Sequence, residues 1–269
     1  MQPTTAVVRQ PGQHTLPISV AIITLNEEQN LARCLESLRG LVEEIVVLDS
    51  GSTDGTHGLA RRFGATVEVH PWEGFGPQKN AAMQRCRQPW ILCLDADEAL
   101  SPELADAVRA IFANGDPPLD AYWLNRRTFY LGRWIWHAWY PEWRLRLVRR
   151  GRGEWRGLEP HPELCCAGNT GKLRGDLLHY PFHNLQQHLQ RWIQYAHIMA
   201  DLYERQGKRC HWYHLIGSPS WAFFRVLVLR RGFLDGWRGW VIAFATQMYV
   251  FAKYAFLWEK QSAHANREH

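Results

Sequence analysis

The 269-residue sequence lacks the motifs that identify several large classes of nucleotide-binding and metal-binding protein. It contains no GxxxxGK[ST] loop and no GxGxxG turn, which argues against a P-loop NTPase and a standard dinucleotide dehydrogenase. Its six cysteines have no CxxC spacing, and Pro181 separates His179 from His183, so a structural zinc site is not favoured. No RNA-binding signature accompanies the net charge of +5, and we expect no nucleic-acid partner.

The first residues also lack the apolar core of a signal peptide. Residues 1–16 are polar and rich in proline, and we interpret them as a disordered leader. Cys34, Cys86 and Cys93 fall within predicted helix or strand, where a free buried thiol is the usual state, so a reducing cytoplasm is expected. The length and the hydrophobic content of 46% suit one large α/β domain, which we predict over residues 17–175, followed by a helical region over 176–269.

Strand and helix signals alternate from residue 18 onward. Short β-branched runs predict strands over residues 18–25, 44–48, 66–69 and 90–94. Helical apolar spacing predicts helices between them, over residues 27–38, 53–63 and 78–87, with Ser52 or Thr53 as the cap of the second. Further strands are expected over 120–130 and 143–148, and a loop and hairpin zone over 151–175. This alternation predicts βαβ units and a parallel sheet.

Polar side chains follow three of the predicted strands. Because the carboxyl ends of parallel strands meet at one edge of a sheet, we expect these residues to line a single crevice: Asn26, Glu27, Asp49, Asp95 and Asp97. The Asp-x-Asp pair offers hard oxygens to Mg²⁺ or Mn²⁺, and such a metal would suit a substrate with a diphosphate. Taken singly, the pair could instead cap the next helix, and Asp49 could form an ordinary Asx turn.

The order of these motifs, T-L-N-E-E, D-S-G-S-T-D-G-T, Q-K-N and L-D-A-D-E, resembles family 2 glycosyltransferases of the inverting GT-A type. The match spans about residues 18–100. Less diagnostic segments, among them Gly132-Arg133-Trp134 and Leu178-His179-Tyr180, resemble the lipopolysaccharide core β-1,4-glucosyltransferase branch of that family. The resemblance implies a GT-A, Rossmann-like fold that uses a nucleotide sugar, with UDP-glucose as donor, Mg²⁺ or Mn²⁺ as cofactor, and a lipopolysaccharide inner-core heptose as acceptor.

The resemblance also implies roles for the matching residues. Those expected to hold the nucleoside are Thr24, Asn26, Glu27 and Asp49, with the backbone at Gly51 and Ser52 close to the ligand. Lys79 and Asn80 would face the diphosphate or sugar, Asp95 the ribose and Asp97 the metal.

Inversion at an anomeric carbon needs a general base that takes the proton of the acceptor hydroxyl. The family usually supplies it from a carboxylate downstream of the Asp-x-Asp pair. We favour Glu163, then Glu142, with His161 as a substrate contact or orienting partner and Glu159 last. Related sequences tend to have a glutamate directly after this histidine, where the present chain has Pro162.

Arginine is dense between residues 144 and 156. Two interpretations are open: recognition of carboxylates and phosphates on the acceptor, or a solvated face. The residues are Arg144, Arg146, Arg149, Arg150, Arg152 and Arg156.

The C-terminal region is aromatic-rich and predicted to be helical, with apolar segments over residues 221–229 and 240–258. Thr246, Tyr249 and Lys253 form a polar stripe on the second segment, which favours an amphipathic helix on a bilayer or a neighbouring helix over a spanning or core helix. Nearby arginines would lie close to acidic head groups. We therefore predict a membrane-associating region, peripheral on the cytoplasmic face of the inner membrane.

Two alternatives remain open at this point. A sugar nucleotidyltransferase would share the sheet and the carboxylate-bound Mg²⁺, but it would need a glycine-rich basic loop where Asn26, Glu27 and Glu28 stand. A non-catalytic sugar-binding or lipid-binding protein would keep the sheet without turnover. The sequence does not indicate an oligomeric state.

Overall fold

The computed structural model of the protein describes residues 15–157, 159 and 162–265, and the chain divides into two units. The described part of unit 1 comprises residues 15–124, 144–156 and 163–177. Unit 2 comprises the described residues from 125–143, 157–162 and 178–265. Most of the predicted leader, residues 1–14, and the base candidate His161 lie outside the described residues.

Unit 1 begins with alternating strands and helices, as the sequence predicts. These are β1 (Leu16–Thr24), α1 (Glu28–Ser37), β2 (Val42–Asp49), α2 (Thr56–Arg62), β3 (Thr66–Val69), α3 (Phe75–Gln84), β4 (Trp90–Asp95), β5 (Glu98–Leu100) and α4 (Pro102–Phe112). Later in the chain come β6 (Ala121–Tyr130), β7 (Arg133–Trp134), β8 (Glu142–Arg149), β9 (Gly153–Arg156), β10 (Glu163–Cys166) and β11 (Thr170–His179).

The main sheet has the strand order β3-β2-β1-β4-β8-β6-β11-β5, with β7 paired to β6. Strands β3, β2, β1 and β4 run parallel, and β8 pairs with β4 in the antiparallel sense. In the parallel register Thr24 lies beside Asp49, and Ile23 lies beside Asp95. The acidic ends of β2 and β4 therefore flank the end of β1 at one edge of the sheet.

Two hydrophobic clusters cover the parallel sheet of unit 1. One contains Ile18, Val20 and Ile22 of β1 with residues of α1, α2 and α4, and the other contains Ala21 of β1 with Ala82 of α3. Successive side chains of a strand point to opposite faces, so helices protect both faces. The buried thiols of Cys34, Cys86 and Cys93 are free, as the sequence predicts.

Two helix starts differ from the sequence prediction. Helix α2 begins at Thr56, not Thr53, and Gly55 is its N-cap without a side-chain hydrogen bond. The proposed capping by Ser52 or Thr53 is wrong, because these residues bond to Asp49 and Asn26 in the preceding loop. Helix α3 begins at Phe75, three residues before the predicted start. Pro77 is tolerated in the first turn because an N–H there would have no intrahelical partner.

Unit 2 is largely helical. It contains α5 (Leu185–Arg205), α6 (Trp212–Phe224), a π-helical turn (Arg225–Leu229), a 3-10 turn (Gly232–Asp235) and α7 (Trp237–Ala265). The predicted terminal segments are thus parts of longer helices. Gly239 lies within α7, and only glycine fits there because a Cβ would lie 1.7 Å from the carbonyl oxygen of Gly232. The carboxylate of Asp235 accepts hydrogen bonds from the N–H groups of residues 136, 137 and 138.

Candidate functional site

The carboxylate of Asp49 organises the loop that follows β2. It accepts hydrogen bonds from the Thr24 hydroxyl (2.7 Å), the Gly51 N–H (2.8 Å), the Ser52 N–H (2.7 Å) and the Ser52 hydroxyl (2.5 Å), and His57 Nε2 lies 2.7 Å from Oδ1. Burial alone would raise the pKa of Asp49, but the hydrogen bonds from Ser52, His57 and Thr24 outweigh it and hold the pKa well below its usual range. Asp49 is therefore ionised, and it fixes the course of the loop.

Asn26 joins this loop to the end of β1. Its backbone is in the left-handed region, with φ of 56°, which asparagine tolerates better than most residues. Its N–H donates to the Ser52 hydroxyl (2.7 Å), and its side-chain oxygen accepts from the Thr53 N–H (2.8 Å). The Glu27 N–H donates to Thr56 Oγ1 (2.9 Å). The structure thus brings the predicted nucleoside-binding residues of β1 and β2 together in one hydrogen-bonded loop pair.

A glutamine that we had not singled out supports the same loop. Gln78 is fully buried in α3, and its Nε2 donates to the hydroxyl of Ser50 (3.1 Å). Its Oε1 lies 3.1 Å from Nδ1 of His70. The Q-K-N motif contains this residue, but a polar residue on a predicted helix does not reveal that it faces the sheet.

Asp95 lies between two cations. Lys79 of α3 forms an ion pair with Oδ1, and Arg146 of β8 donates to Oδ2 at 2.9 Å. The same guanidinium nitrogen of Arg146 lies 2.7 Å from Oε1 of Glu98, a fully buried carboxylate whose Oε2 accepts from the Asp95 N–H (3.0 Å). The end of β4 therefore carries a compact network of two carboxylates and two cations.

The indole of Trp155 forms one side of this network. Its ring centre lies 4.3 Å from Nζ of Lys79 and 5.4 Å from Cζ of Arg146, within the range of cation–π attraction. Asn80 pins the backbone of Trp155 with two hydrogen bonds, of 2.9 Å from its amide nitrogen and 2.8 Å to its amide oxygen. The side-chain amide that was expected to face the diphosphate or sugar is thus engaged with β9.

The donor set decides whether a divalent cation fits at this edge. Among the residues that the structure describes, no group of three or more His, Cys, Asp or Glu side chains is arranged to hold a metal ion. Mg²⁺ is usually bound by one or two carboxylates together with substrate phosphates. Asp97, a half-buried carboxylate in the turn between β4 and β5, is a donor of the type that such a site uses, and the neighbouring Asp95 is paired with Lys79 and Arg146.

The general-base candidates have different surroundings. The side chain of Glu163, in β10 of unit 1, is 73% exposed and lies 3.6 Å from a guanidinium nitrogen of Arg144. Glu142, in unit 2, accepts two hydrogen bonds of 2.8 Å from the guanidinium of Arg126. Glu159 is half-buried in a turn.

The arginine-dense segment is not one surface. Arg146 is buried, Arg149 pairs with Asp116 at 2.6 Å, and Arg156 pairs with the exposed Glu154 at 2.7 Å. Arg146 therefore does not share a solvated face with the exposed arginines, and recognition of the acceptor by this segment stays a prediction. The sequence shows which residues share a face of the strand, but it does not show which face is covered by another layer of the protein.

Comparisons with known proteins bear on this geometry. The model of the family described as glycosyl transferase family 2 matches residues 19–171. The chain belongs to this family. The match begins within β1 and covers β2 to β4 and the loops at the ends of these strands.

Two relatives extend the similarity over most of the chain. A lipopolysaccharide core biosynthesis glycosyltransferase, LpsC of Rhizobium meliloti, is 33% identical over 259 residues, which cover 89% of this chain and 94% of that protein. An uncharacterised glycosyltransferase of Rickettsia typhi is 30% identical, covering 88% and 84%. A solved structure of S. aureus TarS 1-349 with UDP-GlcNAc aligns with a TM-score of 0.49 at 15% identity, covering 88% and 91%.

The family 2 chain is therefore a nucleotide-sugar-dependent glycosyltransferase with the α/β fold of the GT-A type, as the sequence predicts. The structure adds residues that sequence reasoning did not assign to the site. Arg146 was grouped with the other arginines of its segment, Glu98 appeared only as the last residue of the L-D-A-D-E motif, and Trp155 and His57 were given no role. Each is identified only by the partner that it meets in three dimensions.

Proposed function

We propose that the enzyme transfers glucose from UDP-glucose to a hydroxyl group of a lipopolysaccharide inner-core heptose, with inversion at the anomeric carbon. The observation that carries the proposal is the meeting of the Asp49 loop and the Asp95–Asp97 turn at the carboxyl edge of the parallel sheet. Open α/β sheets bind ligands at this edge. The acceptor class is supported by the similarity over most of the chain to LpsC, a lipopolysaccharide core biosynthesis glycosyltransferase.

In this proposal the loops after β1 and β2 hold the nucleoside. The carboxylate of Asp49 accepts hydrogen bonds from the protein itself, so its contribution is to fix the loop backbone at Gly51 and Ser52. Thr24, Asn26 and Glu27 complete this part of the proposed site. A loop whose course is already fixed by its own hydrogen bonds binds a ligand without a further ordering cost.

The leaving group is UDP, and Lys79 is the cation that we assign to its diphosphate. Lys79 is held by Asp95 and Trp155, so its charge is already in place before the donor binds. We assign Asp97 as the protein ligand of a Mg²⁺ or Mn²⁺ ion, which would supply further stabilisation of negative charge on the diphosphate. Asn80 and Arg146 act in this proposal as positioning residues.

Glu163 is our first assignment for the general base. Its carboxylate is open to solvent and accessible to an acceptor, whereas Glu142 is held in a bidentate pair with Arg126. Glu142 remains the second assignment, and His161 is proposed as a substrate contact.

The test is a donor panel with a matched pair of variants. The full chain is incubated with several UDP-sugars and Mn²⁺, and UDP release is measured with and without a truncated core acceptor. We expect acceptor-dependent release that is fastest with UDP-glucose. Asp97→Ala should lower it by about a hundredfold or more, because a metal contributes several kcal/mol of charge stabilisation. Asp106→Ala, at an exposed position of α4, is the control and should retain activity.

The outcomes separate the alternatives. Release of pyrophosphate rather than UDP would favour a nucleotidyltransferase. Donor binding without turnover, unchanged by Glu163→Gln, would favour a binding protein. Full activity of Asp97→Ala would exclude the metal role.

We further propose that unit 2 holds the enzyme peripherally on the cytoplasmic face of the inner membrane. One helix, Trp237–Ala263, is long and apolar enough to span a bilayer, and only 22% of its most apolar window is buried. Its outward side carries exposed aromatic side chains, and arginines stand near its start. Tryptophan and arginine together suit a membrane interface. Co-sedimentation with vesicles of phosphatidylethanolamine and phosphatidylglycerol tests this part, and a protein that stays in the supernatant would exclude it.

A further inference from the structure

Helices α5, α6 and α7 of unit 2 enclose an open groove. Its volume is about 620 Å³, within the range of about 300–1,000 Å³ typical of small-molecule sites. Its walls include Leu189 and Trp192 of α5, Ile216 and Ser220 of α6, and Met248 and Phe251 of α7. None of these residues belongs to the loops of the sugar-nucleotide site.

The lining of the groove suits hydrocarbon. It is largely apolar; its polar side chains are Ser220, Gln247 and Tyr249, and the hydroxyl of Ser220 already donates to the carbonyl oxygen of Ile216 at 2.8 Å. A sugar or a nucleotide would lose its hydrogen bonds to water on entering and find few partners. An apolar chain would gain from burial in proportion to the surface it removes from water.

The groove continues into an exposed apolar stripe along α7. The stripe consists of five side chains at helical spacing, each between 46% and 59% exposed: Trp237, Trp240, Phe244, Met248 and Phe251. We call this set the α7 stripe. Met248 and Phe251 also line the groove, so the stripe and the groove form one apolar surface.

Most of the polar stripe of α7 lies on the side opposite the α7 stripe, and Tyr249 also lines the groove. Lys253 lies 5.1 Å from the ring centre of Tyr203 in α5 and 3.4 Å from its hydroxyl, and Tyr249 packs against Trp192. Thr246 donates to the carbonyl oxygen of Ile242 within the helix. The polar stripe predicted from the sequence therefore faces the neighbouring helix, and the apolar side faces outward. A helix on the surface of a water-soluble protein has the opposite arrangement.

Cations stand at one end of the α7 stripe. Arg225, Arg230 and Arg231 are exposed in the π-helical turn and the segment that leads to α7. From Trp237 to Met248 the helix rises about 16 Å at 1.5 Å per residue. This distance is close to the length of one acyl chain, since two chains end to end span a hydrocarbon core about 30 Å thick. An anionic head group at the arginines would therefore allow an acyl chain to follow the stripe into the groove.

We propose that the groove between α5, α6 and α7 binds one acyl chain of an anionic membrane phospholipid whose head group lies at Arg225, Arg230 and Arg231. This inference rests on the membrane association proposed above. It goes beyond that association because it names a site where one lipid chain leaves the bilayer and enters the protein. Such a chain would contact residues of α5, which a surface contact through the α7 stripe alone would not reach.

The experiment uses the full chain with vesicles of phosphatidylethanolamine and phosphatidylglycerol. Part of the phosphatidylglycerol carries a photoactivatable diazirine at the end of an acyl chain, and labelled peptides are mapped after irradiation. We expect labelling of α5 at Leu189 and Trp192 in addition to the α7 stripe.

Two matched variants of α6 locate the chain. Ser220 lines the groove, whereas Gly217 is exposed with nothing within 4 Å of an added Cβ. Ser220→Trp should lower the labelling of α5 by about tenfold, equivalent to about 1.4 kcal/mol. Labelling of the α7 stripe and co-sedimentation should stay unchanged, and Gly217→Trp should leave all three unchanged. Ala252→Phe fills the groove from α7 and serves if Ser220→Trp does not fold.

Each outcome has a distinct meaning. Co-sedimentation without labelling of α5, or labelling of α5 that persists in both groove-filling variants, would overturn the acyl-chain site and leave the membrane association standing. Failure of the unmodified protein to co-sediment would overturn both. Neither result would affect the proposed sugar transfer, which is measured separately by UDP release.

Discussion

The ammonium group of Lys79 lies 4.3 Å from the centre of the indole ring of Trp155. The same ring lies 5.4 Å from the guanidinium carbon of Arg146, so one aromatic side chain contacts both cations that pair with Asp95. Trp155 is almost fully buried and, together with the ion pair to Asp95, holds the charge of Lys79 in place. The electrostatics of the proposed diphosphate site thus depend on a residue that carries no charge.

We predict that Trp155→Leu lowers kcat/KM for the donor by about tenfold, since a desolvated cation–π contact contributes up to about 2 kcal/mol. Trp155→Phe keeps a π face and should lose less. The measurement is steady-state UDP release, with urea unfolding to confirm that both variants are folded. Equal losses in the two variants would mean that side-chain volume, not the π face, is what matters.

Replacement of Arg146 should act mainly on stability. Its side chain is 4% exposed and that of Glu98 is 0% exposed, so Arg146→Met leaves a buried carboxylate without its cation. We expect the free energy of unfolding to fall by about 3–5 kcal/mol. The double variant Arg146→Met/Glu98→Gln should recover part of the loss.

The control for this change is Arg156→Met. Arg156 pairs with Glu154 at the surface, where an ion pair contributes about 1 kcal/mol or less. Urea denaturation of the three variants gives the comparison, and a loss at Arg146 no larger than at Arg156 would contradict the prediction.

The assignment of Glu163 as the general base predicts different effects at Glu163 and at the neighbouring Glu154. Glu163→Gln should lower kcat by about 10²–10⁴-fold with little change in donor affinity, because general-base catalysis contributes in this range. Glu154 lies on β9, the strand paired with β10, and Glu154→Gln should keep wild-type kcat. UDP release over a range of pH and calorimetric titration with UDP measure the two effects. Should Glu142→Gln reproduce the kinetic loss while Glu163→Gln does not, the assignment passes to Glu142.

His188 predicts a pH dependence of stability in unit 2. It is fully buried, its Nδ1 lies 2.6 Å from the hydroxyl of Tyr130, and burial, with a smaller contribution from Arg191, lowers its pKa to about 4. The unfolded chain takes up a proton near pH 6.5, but the native state resists it until about pH 4. The free energy of unfolding should therefore fall, by up to about 3 kcal/mol, as the pH drops through this window.

The check is urea denaturation at several pH values between 7 and 4. His188→Gln should flatten the profile, because no titrating group remains at that position. His183→Gln changes an exposed histidine and should leave the slope as it is. A slope that survives His188→Gln would assign the effect to other groups.

The sequence predicts the parallel sheet and its polar edge well, for a physical reason. Strands buried on both faces need continuous apolar runs, and a carboxylate such as Asp95 directly after such a run is conspicuous. The start of α2 was misjudged because Ser52 can cap a helix or bind a carboxylate, and only the nearby position of Asp49 decides between them. Local propensity does not include such long-range partners.

The same limit applies to the charged residues. Arg146 and Arg144 stand on one predicted strand face, yet one is buried against Glu98 and the other lies near the exposed Glu163. On α7, periodicity identified the polar stripe but not the side to which it turns. The sequence pattern shows which residues share a face, whereas tertiary packing decides what that face contacts.

The side-chain amide of Asn80 links the elements that carry the two groups assigned to the opposite sides of the reaction. Its two hydrogen bonds fasten α3, which carries Lys79, to β9, and β9 is paired with β10, which carries Glu163. In our assignment Lys79 serves the departing diphosphate and Glu163 the incoming hydroxyl. Hydrogen bonds within unit 1 thus join the elements that carry both groups, so the folded chain itself positions them relative to each other.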